Sequence, residues 1–197
     1  MILTMIRHGQ TEGSLRDLYY GAADIPVLPE SLAELHAHAA QYPTAPRYFT
    51  SGLVRTEQTL HAIYGDVPHT ALPGLREMDF GDFEMRSYDQ LKDDPAFQHW
   101  ITDSEHLPCP NGESAPQTMQ RNWKAMETVL AEDTDAVCVV HGGVIAGFMM
   151  TWFGGLRVDW YRKAGTGYQV TFEGGVPTRW SSGTRTQRVG TPPSNVT

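Results

Sequence analysis

Cysteine is scarce in this 197-residue chain: there are two, Cys109 and Cys138, with no Cys-x-x-Cys pairing. Neither a disulfide framework nor a cysteine-ligated zinc site is expected, and a reduced, cytoplasmic compartment is the default. Cations are outnumbered, 15 Lys plus Arg standing against 23 Asp plus Glu for a formal net charge of -8. That balance excludes a broad electrostatic grip on nucleic acid or on an anionic membrane, so any anion site has to be local. The apolar run at residues 1–6 stops at Arg7 and His8 and is too short for a signal peptide or a membrane span. What remains is 40% hydrophobic and 19% charged, enough apolar mass for a real core and of a length suited to one domain.

Residues 1–6 do not alternate in polarity, and neither do residues 136–140 (Ala-Val-Cys-Val-Val). Short continuous apolar runs suit strands buried on both faces, as in a parallel sheet under helices, so an α/β fold is expected. The first run ends in Arg7, His8, Gly9 and the second in His141, Gly142, Gly143. Ligands of open α/β sheets lie outside the carboxyl ends of the strands, so the two histidines are expected to meet there. Periodicity predicts helices over 29–42, 53–64, 115–131 and 144–153, the third opened by a Ser114–Gln117 capping box. A short strand is expected at 48–50, and a hairpin from 168–172 and 178–180 through Gly174 and Gly175. Residues 82–112, broken by Pro95, Pro108 and Pro110, read as an insertion over one sheet edge that selects substrate. Residues 1–180 are expected to form a single domain, with 181–197 as a flexible tail.

Five segments, in order, resemble the histidine phosphatase superfamily, which includes the cofactor-dependent phosphoglycerate mutases. Arg7, His8, Gly9, Gln10, Thr11 is similar to its R-H-G-[EQ]-T signature, and residues 51–59 to its S-x-L-x-R-[AT]-x-Q-T segment. Residues 75–81 resemble L-x-E-x-x-[FY]-G, residues 110–114 resemble P-x-G-E-S, and Val140, His141, Gly142, Gly143 resemble the second histidine motif. The resemblance spans about residues 1–155, and five ordered motifs are far more specific than any one. It implies a three-layer α/β/α sandwich with a mostly parallel central sheet. It also implies a metal-independent phosphomonoesterase that hydrolyses a small phosphorylated metabolite through a phosphohistidine, with no cofactor. Phosphoryl transfer is mostly positioning and electrostatic stabilisation, which suits the donor forks of Arg7 and Arg55. His8 is the implied nucleophile, kept neutral by the neighbouring guanidinium groups. His141 is implied to stabilise the transferring group, with Gly142 at a helix N-terminus that favours an anion. Glu77 is the implied proton donor, with Asp79 and Glu84 as rivals.

Two positions depart from the family's pattern. Ser14 stands where the family often has an asparagine that binds phosphate, a shorter reach; Met85 stands where it has glycine, so the turn is expected to be reshaped. Residues 82–112 carry Arg86 and Lys92 against seven acids, which disfavours a polyanionic substrate, hence the mutase alternative. The chain is of a size with the α-ribazole phosphatases. A noncatalytic phosphate- or phosphoprotein-binding module is the remaining alternative, and the oligomeric state is left open. His36, His38, His61, His69, His99 and His106 read as solvated and without partners, Cys138 as a packed thiol and Cys109 as exposed.

Overall fold

Residues 136–140 send alternate side chains to opposite faces of a sheet, and both faces are covered. The computed structural model describes residues 1–183 and 189–190. In chain order the elements are β1 (Ile2–Arg7), α1 (Glu12–Leu15), β2 (Leu18–Tyr19), α2 (Pro29–Ala37), β3 (Arg47–Thr50), α3 (Val54–Tyr64), β4 (Thr70–Ala71), β5 (Arg86–Ser87), α4 (Tyr88–Leu91), α5 (Pro95–Ile101), α6 (Ala115–Leu130), β6 (Ala136–Val140), α7 (Gly142–Phe153), β7 (Gly167–Glu173), β8 (Val176–Gly183) and β9 (Val189–Gly190). The main sheet has the order β4-β3-β6-β1-β7-β8-β9. Strands β4, β3, β6 and β1 run parallel, and β7, β8 and β9 add an antiparallel flank beside β1.

On one face Leu3, Met5, Ala136, Cys138 and Val140 pack with Met126 and Val129 of α6 and with Ile145, Phe148 and Met149 of α7. On the other, Ile6, Val137 and Val139 meet Leu35 of α2 and Leu60 and Ile63 of α3. The result is the expected α/β/α sandwich. Each large side chain so buried contributes about 1.5–3 kcal/mol of transfer free energy, which is why these strands carry no polar alternation.

The elements differ from the sequence expectation mainly at their ends. Pro43 holds Tyr42 extended (ψ 138), so the helix expected over 29–42 stops at Ala37 and the chain tightens into a 3-10 turn, Ala39–Gln41. Helix α7 begins two residues early, because His141 takes the extended N-cap conformation and Gly142 is already helical. Residues 82–112 form β5, α4 and α5, and they join the body through the pairing of β5 with β2 in the loop after β1 and through Glu84, which accepts from the N–H groups of Gly21, Ala22 and Ala23. Phe83, Leu91, Phe97, Trp100 and Cys109 make a small core of their own with Met78. Cys109 is therefore buried, not exposed, and burial pushes its thiol up to about 12. The hairpin is longer than expected: β8 runs through Ser181 to Gly183, and β9 pairs with Trp180 and Ser181. Residues 184–188 and 191–197 of the expected tail lie outside the described residues. Among the described residues no helix is long and apolar enough to cross a membrane.

Strand β1 approaches β7 where the latter has glycine. A Cβ on Gly167 would lie 1.7 Å from the Met5 carbonyl oxygen, so a side chain there has to push the two strands apart. Gly167→Ala is expected to lower stability by more than about 2 kcal/mol in urea denaturation, in the range of overpacking and lost ladder bonds. A midpoint equal to that of the native chain would show that β1 and β7 are less tightly apposed than described.

Candidate active site

Strands β1 and β6 end together, Arg7 facing Val140 across the ladder and the His8 N–H donating to Val140 O at 3.0 Å. The next residue of each chain segment is a histidine, and the ring centroids of His8 and His141 stand 5.2 Å apart. Both are buried, at 3% and 1% exposure. They sit in a cavity of about 340 Å³ whose lining includes Arg7, Ser14, Arg55, Glu77, Gly142 and Gly143. Every residue the sequence singles out for the site thus reaches one cavity.

The His8 ring nitrogen Nδ1 lies 2.7 Å from Gly9 O, an acceptor, so Nδ1 carries the proton and Nε2 keeps its lone pair. Burial, more than any charge, lowers the His8 pKa to about 3, and the Arg55 and Arg7 guanidinium groups add to it against the Gly9 hydrogen bond. The sequence credits the arginines with this effect; desolvation is the larger cause. His141 is likewise held well below 6.5, first by burial and then by Arg55, His8 and Arg7. Its Nδ1 accepts from Arg55 Nε (3.3 Å), which leaves the proton on Nε2, 2.8 Å from Ser51 Oγ.

Arg55 is fully buried, with its Nη1 donating to Ala23 O and its Nη2 to Gly21 O, both at 2.7 Å, and its Cζ 5.2 Å from the Tyr20 ring centroid. One N–H on each terminal nitrogen remains for a ligand. Arg7 donates from Nη1 to Arg162 O (2.7 Å), while its buried Nε has no partner among the described residues. A buried, unpaired donor costs about 1–3 kcal/mol, a cost that an anionic oxygen in the cavity removes. Gly142 lies against this guanidinium, where a Cβ would meet Arg7 Nε at 3.3 Å.

Glu77 projects from the loop after the 3-10 turn Pro73–Leu75, and its Oε2 accepts from Gly143 N at 2.8 Å. A Cβ on Gly143 would meet Glu77 Oε1 at 2.4 Å, so the glycine is what lets the carboxylate approach the start of α7. The rivals are engaged elsewhere. Glu84 accepts the backbone N–H groups of Gly21, Ala22, Ala23 and Phe80, which shapes the loop that holds Arg55, and Asp79 Oδ1 accepts from Gly81 N. Ser14 lines the cavity, but its hydroxyl is bonded within a capping box with Thr11 at the start of α1. Met85 has a φ of 59, a left-handed conformation that costs roughly 1–2 kcal/mol without glycine.

Sequence reasoning missed Ser51, Thr59, Tyr20, Arg157 and Tyr161. Ser51 and Thr59 lie in the same segment as Arg55, Thr59 Oγ1 accepting from Gly9 N at 2.8 Å, and their position beside that arginine was the available signal. Arg157 and Tyr161 line the cavity from the turn after α7, which carries no motif. Three histidines expected to lack partners have carboxylates: His61 with Asp66, His69 with Glu57 and His106 with Asp103. A wider, mostly apolar groove of about 960 Å³ lies between α2 and α3, lined by His36, His61 and His69 but by no Arg or Lys that could present a donor fork to a phosphoryl group. Among the described residues no group of three or more His, Cys, Asp or Glu is placed to hold a metal ion.

The lowered histidine pKa values set a sign for stability against pH. The unfolded chain takes up protons on these rings as the pH falls through 6.5, whereas folded His8 does so only near 3, so stability is lost as the pH falls through that window. The slope of Tm against pH from about 7 to about 4 is expected to be shallower in His8→Asn than in the native chain. Equal slopes would mean that the fold does not hold His8 neutral.

Residues 3–171 match the family described as histidine phosphatase superfamily (branch 1). The chain is 30% identical over 154 residues to the adenosylcobalamin/alpha-ribazole phosphatase of Salmonella typhimurium, covering 74% of this chain and 76% of that protein. It is also 30% identical over 174 residues to the 2,3-bisphosphoglycerate-dependent phosphoglycerate mutase of Xanthobacter autotrophicus, covering 76% and 80%. The alpha-ribazole phosphatase structure from Shigella flexneri superposes with a TM-score of 0.81 at 23% identity, over 95% of this chain and 96% of that one, and so shares its fold. The chain belongs to branch 1 of the histidine phosphatase superfamily.

Proposed function

We propose that this chain is a phosphomonoesterase that hydrolyses a small phosphorylated organic substrate through a phosphohistidine on His8, without a metal. One observation carries the reading: a neutral imidazole with a free Nε2 at the end of a strand, sharing its cavity with two guanidinium groups of which one has an unpaired buried N–H. Nε2 attacks phosphorus, the bond to the leaving oxygen breaks, and Glu77 supplies that oxygen with a proton. The phosphorylated ring keeps its Nδ1 proton, and Gly9 O stabilises the resulting cation. Water then attacks phosphorus as Glu77 takes its proton, the P–N bond breaks, and neutral His8 returns. Arg7, Arg55 and the N–H of Gly142 face the phosphoryl oxygens throughout, and His141 holds Arg55 in place through Nδ1.

Beyond the phosphoryl site the cavity is walled by Tyr19, Tyr20, Phe80 and Tyr161, which fits a substrate with a flat or apolar body. An α-ribazole phosphate, the substrate type in the name of several relatives, is the first probe this suggests. The expected compartment is the cytoplasm, which the two buried, unpaired thiols suit. A screen of phosphorylated metabolites in EDTA-treated buffer tests the reading: native chain should release inorganic phosphate. His8→Ala should lower turnover by about 10⁴-fold or more, and rapid quench of the native chain should trap an acid-labile, base-stable phosphoryl adduct on His8. Near-normal turnover in His8→Ala, or restoration by Mg²⁺ of activity lost to EDTA, would overturn it.

The mutase is the second reading, and the charges of residues 82–112 weigh against it. Arg86 pairs with Asp94 and Lys92 with Asp89, and neither cation lines the cavity. A mutase has to grip a bisphosphate and keep water from the phosphohistidine. With 3-phosphoglycerate and catalytic 2,3-bisphosphoglycerate, ³¹P NMR should show inorganic phosphate or no reaction. Rapid formation of 2-phosphoglycerate without phosphate release would reverse the choice.

A further inference from the structure

Glu77 has to meet a leaving oxygen from a loop outside any helix or strand, yet that loop is held on both sides of it. Arg121, on α6, donates from Nη1 to Gly74 O (2.9 Å) and Arg76 O (3.0 Å) and from Nη2 to Glu77 O (3.1 Å). Its buried neighbour Asn122 donates from Nδ2 to the same two carbonyls, Gly74 and Arg76, at 2.7 and 3.1 Å. The guanidinium is aimed by Glu113, whose Oε1 accepts from Arg121 Nε (2.9 Å) and Oε2 from Nη2 (2.7 Å). Glu113 also reaches the far side of the loop, where Oε2 accepts from Asp79 N (3.1 Å) and the Glu113 N–H donates to Asp79 O (2.9 Å). Burial pulls the Glu113 carboxyl up, but the hydrogen bonds from Arg121, Asp79 N and Thr118 outweigh it and keep the group ionised. Neither Arg121 nor Glu113 lines the cavity.

We infer that Arg121, oriented by Glu113, is a positioning residue that sets where the Glu77 carboxyl stands, which rests on reading Glu77 as the proton donor. A planar fork can bind three backbone carbonyls and a carboxylate at once; a lysine keeps the charge but cannot reproduce that geometry. Proton transfer depends on placement of donor and acceptor within a fraction of an ångström, so release of the loop should damage that step in particular. A role confined to stabilising the fold would lower activity on every substrate alike.

The test compares an alkyl phosphate, whose leaving oxygen needs a proton, with 4-nitrophenyl phosphate, which needs little help. Arg121→Lys and Glu113→Gln, each shown to be folded by thermal melting, are measured beside the native chain, Glu77→Gln and the Glu77→Gln/Arg121→Lys double variant. The expected result for both is a kcat on the alkyl substrate lower by roughly 30- to 100-fold with KM nearly unchanged, and a loss of less than about 5-fold on the aryl substrate. In the Glu77→Gln background, Arg121→Lys should cost less than about 3-fold more, since two parts of one device do not add. Full activity in Arg121→Lys, equal losses on both substrates, or losses that multiply in the double variant would overturn the inference. If native chain hydrolyses neither substrate, the phosphatase reading itself fails. If native chain is active and Glu77→Gln shows no leaving-group dependence, only the acid assignment and this inference fall.

Discussion

Five paired positions, from Leu3↔Ala136 to Arg7↔Val140, hold β1 against β6 in parallel, and everything chemical in this protein is built on that ladder. Because strand side chains alternate, a slip of one residue would turn Leu3 and Met5 out of the core they share with Cys138 and Val140. The apolar burial of the strands therefore dictates the placement of two imidazoles that contribute little to it. The same ladder explains the order of the site: at its end His8 begins a loop and His141 caps a helix. Even Arg55 depends on it, since its Nε bonds the second histidine.

Burial then supplies the electrostatics. A fully buried guanidinium costs a great deal unless its donors are met, and Arg55 meets carbonyls of Gly21 and Ala23 and the neutral Nδ1 of His141 rather than a carboxylate. Glu77, Asp24 and Glu84 offset part of its charge without pairing with it directly, and what remains adds to burial in suppressing protonation of both histidines and favours an anion. A chain of net charge -8 can hold an anion site on this basis, because what decides binding is the local field inside a small cavity and not the sum over the surface.

Much of this arrangement was legible in the residues. The non-alternating runs marked both buried strands, and α6 could be placed by its capping box and apolar stripe because each is a local signal. The site residues were legible through motifs at the ends of β1 and β6, on α3 and in the loop that carries Glu77. What escaped was of another kind. The β2–β5 pairing that joins residues 82–112 to the first loop involves two residues on each side, too short for any periodicity. Arg157 and Tyr161 enter the cavity only because the chain folds back after α7, and Cys109 is buried only because five distant aromatic and aliphatic residues close round it. Such outcomes belong to tertiary packing, and no window along the sequence contains them.

None of residues 82–112 lines the cavity; the segment acts on it from behind, by packing against Tyr19 and Phe80. It adds shape and little charge. Tyr19 and Phe80 face the cavity, and behind them stand Phe97 and Trp100 of α5, with Tyr19 5.5 Å from Phe97 and 5.9 Å from Trp100 between ring centroids. Phe83 in turn packs edge-on against Phe97 at 5.3 Å. Edge-to-face contacts of this kind fix ring orientation as well as burying area, so Tyr19 and Phe80 form a stiff aromatic wall of the cavity. The segment's two cations turn instead to its own aspartates. An anionic group set against that wall would lose hydration without a counter-charge there, whereas a flat apolar group gains by the same contact; the cavity's further cation, Arg157, enters from the turn after α7.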